Sequence, residues 1–84
     1  MPYNNPSPSQ STTLTADERS REARRILTML RDEADRDADA WERKLTMRAK
    51  DFISSKWLEM SLGGQLYVTE NQYFWLQDIW SMFA

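Results

Sequence analysis

The chain has 84 residues, a net charge of −2, no cysteine and no histidine. That length allows one domain at most, and the missing residue types exclude disulfides, thiolate or imidazole metal ligands, and thiol or imidazole catalysis. No stretch approaches the ~18 apolar residues that span a bilayer, and no charged-then-apolar leader opens the sequence, so a soluble cytoplasmic protein is expected.

Residues 1–14 are rich in Pro, Ser, Asn and Thr, lack an apolar period, and are expected to form a disordered tail. About 70 residues remain for a single helical domain over 15–84, a size at which a lone core supplies no more than ~3–5 kcal/mol. Help from a partner or a second copy is therefore expected.

The first helix, over 16–37, is announced by Thr15-Ala-Asp-Glu18, a capping box in which hydroxyl and carboxylate each satisfy the other residue's amide. Its apolar stripe runs Ala23, Ile26, Leu27, Leu30, Ala34 at helical spacing. A second helix over 40–61 carries Trp41, Leu45, Ala49, Phe52, Ile53, Trp57 and Met60. Its stripe continues in step from the first, so one long helix is the alternative. A break near 36–40 is favoured because 45 residues far exceed the usual helix length.

Gly63-Gly64 ends the second helix, and residues 65–68 form a short extended link. The third helix, over 70–82, starts at a second capping box, Thr69-Glu-Asn-Gln72, with Val68 and Tyr73 at the two positions of a hydrophobic staple. The expected fold is all-α: a small bundle of two to three helices with a C-terminal helical hairpin.

Several constellations invite a functional reading. Asp35, Asp37 and Asp39 have the spacing that opens a calcium loop, but Ala40 and Thr46 occupy the positions that need Gly and a bidentate Glu. No metal or other cofactor is expected. Arg19, Arg21, Arg24 and Arg25, then Arg43, Lys44, Arg48, Lys50 and Lys56, form two basic strips. The most aromatic segment carries no Lys or Arg, which argues against direct nucleic-acid binding through stacked bases. No nucleophile, base or phosphate loop is recognisable, so an enzyme is not expected.

The surplus aromatics are the informative feature. Tyr73, Leu76, Ile79, Trp80 and Phe83 fall on one helical stripe, which leaves Phe74, Trp75 and Met82 off it. These three, with Trp80, are the candidate protein-binding residues. The acidic residues Asp32, Glu33, Asp35, Asp37 and Asp39 are a candidate second contact.

Residues 41–82 resemble a helical module of small phage- and mobile-element-encoded proteins. Its pattern is an aromatic-led helix, a Gly turn, then Leu/Val-Thr/Ser-x-x-Gln before a final amphipathic helix. Trp41, Phe52, Ile53, Gly63, Val68, Thr69, Gln72, Leu76 and Ile79 carry the match, while Asn71 replaces the usual lysine. The resemblance implies a phage-type accessory protein, similar to anti-CRISPR proteins and other host-takeover inhibitors, working in a bacterial cytoplasm. The expected function is non-enzymatic: binding and inhibiting or modulating a larger host assembly, such as a CRISPR effector complex. A structural homo-oligomer and a nucleic-acid accessory factor are the alternatives.

Overall fold

The computed structural model describes residues 14–83, and these form four α-helices with no strand among them. They are α1 (Ala16–Arg36), α2 (Ala38–Lys44), α3 (Met47–Ser61) and α4 (Glu70–Ser81). The expected tail lies outside the described residues except for Leu14, which is half-buried against the core. None of the four helices is long and apolar enough to cross a membrane.

Helix α1 packs against each of the other three and supplies the centre of the core through Ala23, Ile26, Leu27 and Leu30. Its capping box forms in full: the Thr15 hydroxyl accepts from the Glu18 amide at 3.1 Å, and the Thr15 amide donates to Glu18 Oε1 at 2.9 Å. The bond from the Thr15 amide, then that from its side chain, hold the Glu18 carboxyl below its ordinary value. That contribution to the cap is present at neutral pH and is lost as pH falls below the ordinary glutamate range.

The chain breaks twice where the sequence offered one junction. At the first break Asp37 ends α1, donating its amide to Glu33, and starts α2, accepting from the Ala40 amide at 3.0 Å. The second break divides the helix expected over 40–61. There Leu45 turns extended, and the Thr46 hydroxyl accepts from the Ala49 amide at 3.1 Å, capping α3. A threonine hydroxyl competes with the helical ladder for nearby amides, so it can start a helix without glycine or proline. Leu45 and Ala49, on either side of the break, are both buried. Lys50 reaches back across it to Glu42 at 2.6 Å.

After α3, Gly63 takes φ +75° and donates its amide to Met60, ending the helix in the left-handed turn that glycine tolerates best. The link that follows is extended and alternates: Leu66 and Val68 point into the core, Gln65 and Tyr67 outward. Such a segment has no sheet to bond, and buried carbonyls need partners. Side chains supply them. Ser20 donates to the Leu66 carbonyl at 2.8 Å, Lys56 to Tyr67 at 2.6 Å and Arg19 to Val68 at 2.7 Å. Among the described residues Lys56 is the one buried charged side chain, and Glu59 at 2.9 Å balances its charge.

A Cβ at either Gly63 or Gly64 would meet nothing within 4 Å, so only backbone conformation separates the two sites. Gly63→Ala should lower stability by about 1–2 kcal/mol, whereas Gly64→Ala should be neutral or stabilising by up to about 1 kcal/mol. Urea unfolding of the two variants checks this; equal losses would contradict the assigned turn.

Candidate functional site

Helix α4 is fixed at both ends. Its capping box forms, with Thr69 accepting from the Gln72 amide at 3.1 Å and Gln72 accepting from the Thr69 amide at 3.0 Å. Just beyond its last turn, the Met82 carbonyl accepts from Lys44 at 2.9 Å. Between these anchors Tyr73, Leu76 and Ile79 are buried, with Trp80 and Phe83 half-buried against the same core. The inward stripe is the one its spacing predicts.

Inward placement of that stripe turns a second face outward. Asn71, Phe74, Trp75 and Asp78 stand at the i, i+3, i+4, i+7 positions of one helical row. With Arg48 of α3 they line an open groove of about 430 Å³. Phe74 is 41% exposed and lies 6.1 Å from the Tyr73 ring, tilted at 45°. Trp75 is half-buried: one side stacks on Phe52 at 4.5 Å with the planes 8° apart, and the Arg48 guanidinium lies 5.8 Å from its centroid. Met82, 49% exposed, is one further turn along the same row.

The groove thus combines a flat ring edge, a free phenyl group, one cation, one carboxylate and one amide. Its polar members can orient a partner while the rings supply buried area, which is how interface anchors work.

The candidate residues separate into three places. Phe74 and Trp75 line the groove, and Met82 continues its row. Trp80 sits against the core. None of the five acidic candidates lines the groove. Asp37 caps α2, Glu33 is half-buried and paired with Arg36, and Asp32, Asp35 and Asp39 are exposed around the α1–α2 junction.

Sequence reasoning did not single out Arg48, Asn71 or Asp78 for this groove, although the i, i+3, i+4, i+7 spacing around Phe74 would have found the last two. It also passed over Met47, Leu58, Leu62 and Tyr67, all of them well exposed. Tyr67 was legible from the alternation of the link, since Leu66 and Val68 claim the inward side.

The two groove aromatics differ in how much of the fold depends on them. Phe74→Ala should leave stability within about 0.5 kcal/mol of the parent, while Trp75→Ala, which breaks the stack on Phe52, should cost about 2 kcal/mol. Chemical denaturation of the two single variants distinguishes them; an equal cost would place Phe74 in the core.

No protein-family model matches the chain, no curated protein matches it, and no solved structure matches its fold.

Proposed function

We propose that this is a small, non-enzymatic binding protein that uses the outer row of α4 to dock on a larger protein assembly and inhibit or modulate it. The observation that carries the proposal is the exposure of Phe74 beside half-buried Trp75, on a helix whose core-facing stripe is already complete. Phe74 leaves much of its ring to solvent, and aromatics on a rigid element lose little entropy on binding. The row also carries no charge except Asp78, and its neighbour Arg48 is stacked on Trp75. Such a surface suits a protein partner better than a phosphate backbone. The resemblance to phage-encoded accessory proteins makes a bacterial host assembly, such as a CRISPR effector complex, the partner class to try first. The site of action would then be the host cytoplasm.

Photocrosslinking tests the reading in the native host. A benzoylphenylalanine at position 74 should trap a larger host protein, and the same group at exposed Ser54 on α3 should not. Trapping of a second copy of this chain would instead favour the homo-oligomer. Equal trapping at both positions would remove the docking role of Phe74.

A further inference from the structure

Away from the outer row of α4, helix α1 and the end of α3 enclose a second cleft of about 320 Å³. Arg24, Leu27, Thr28 and Arg31 form one wall, Trp57 and Met60 the other. Its base is rigid: Leu27 is fully buried, and the Trp57 indole donates to the Leu27 carbonyl at 3.0 Å. Met60 is half-buried and flexible enough to fit its wall to different apolar groups.

The arginines above this apolar base form no ion pair among the described residues. On the same helix Arg25 pairs with Glu22, and Arg36 with Glu33. Arg24 and Arg31 have no carboxylate within 4.0 Å among the described residues. The Arg31 guanidinium lies on the Trp57 ring, 5.1 Å from its centroid. A guanidinium over an aromatic face keeps N–H donors for a planar carboxylate.

Asp32 also lines the cleft and limits how much negative charge can enter. A polyphosphate or nucleic-acid backbone would set several charges against it, whereas a single carboxylate can pair with an arginine and keep clear. The volume is at the lower limit of ligand pockets, enough for one or two side chains.

We propose that this cleft binds a short acidic segment of a protein partner, with a large apolar residue against Met60 and the accessible edge of Trp57 and its neighbouring carboxylate held by Arg24 and Arg31. The site is independent of the α4 groove and would give the protein a second point of contact. Two weak contacts on one rigid body raise overall affinity well beyond either alone.

The Trp57 indole N–H is a reporter at the base of the cleft. The ¹⁵N-labelled full chain would be titrated with acetyl-Leu-Leu-Glu-amide, with its neutral counterpart acetyl-Leu-Leu-Gln-amide, and with an oligothymidylate. The glutamate peptide should shift the Trp57 indole signal and bind about tenfold more tightly than the glutamine peptide, the size of one charge-assisted bond. Arg24→Gln and Arg31→Gln should each weaken it by a similar factor. Arg24 has no aromatic partner, so its variant keeps the test valid even if Arg31→Gln loosens Trp57. Equal binding of the two peptides, no binding of either, unchanged binding in the Arg24 variant, or a stronger response to oligothymidylate would each overturn the proposal.

Discussion

Trp41 of α2 joins the aromatic side chains of α3 and the end of α4 into one stack beside α1, the helix on which the other three pack. The Trp41 ring stacks with Trp57 of α3 at 5.5 Å and with Phe83, just past α4, at 5.6 Å. Arg31 of α1 lies 5.1 Å from the Trp57 centroid, and Lys44 of α2 lies 5.1 Å from that of Phe83. In a domain of this size the area buried by aliphatic residues leaves only a small margin of stability. Each stacked pair adds roughly 0.5–1.5 kcal/mol beyond its buried area, and each exposed cation about 0.5–1 kcal/mol more. The break at Leu45 follows from the same demand. It gives α2 an axis of its own, and Trp41, Leu45 and Ala49 are all buried around it.

Packing of Tyr73, Leu76 and Ile79 into the core beside α1, together with the stack on Phe83, sets the position of α4 and what it exposes. Lys44 holds the far end of α4 through the Met82 carbonyl, and the side-chain bonds to residues 66–68 hold the near end. Rotation of α4 to bury Phe74 would withdraw Tyr73, Leu76 and Ile79 from the core. The exposed row is therefore a consequence of how the bundle is closed. A surface held this way is organised before any partner arrives, which lowers the cost of binding.

Much of the bundle could be read from the residues. The boxes at Thr15 and Thr69 are short-range devices whose partners lie three residues away, so sequence spacing suffices to see them. The inward stripe of α4 was equally plain, because its apolar residues repeat at helical intervals. The break at Thr46 was not. It uses a single threonine cap with no glutamate three residues later, and the apolar stripe runs through it undisturbed. The partners of the link were also hidden, because Ser20 and Leu66, or Arg19 and Val68, are joined only by the tertiary fold. For the candidate site, the exposure of Phe74 followed from periodicity, whereas the stacking of Trp75 on Phe52 needed the relative placement of α3 and α4.

The central claim is a division of labour among aromatics: Trp41, Trp57 and Phe83 close the bundle, while Phe74 meets the partner. The chain has three phenylalanines, at positions 52, 74 and 83, so a fluorophenylalanine-labelled protein gives three ¹⁹F signals, with Phe83 reporting the stack and Phe74 the outer row. Titration with the partner recovered by crosslinking should shift and broaden the Phe74 signal and leave Phe83 where it was. Movement of Phe83 with Phe74 unchanged would contradict the account, because it would place the partner on the stack and leave the outer row of α4 without a role.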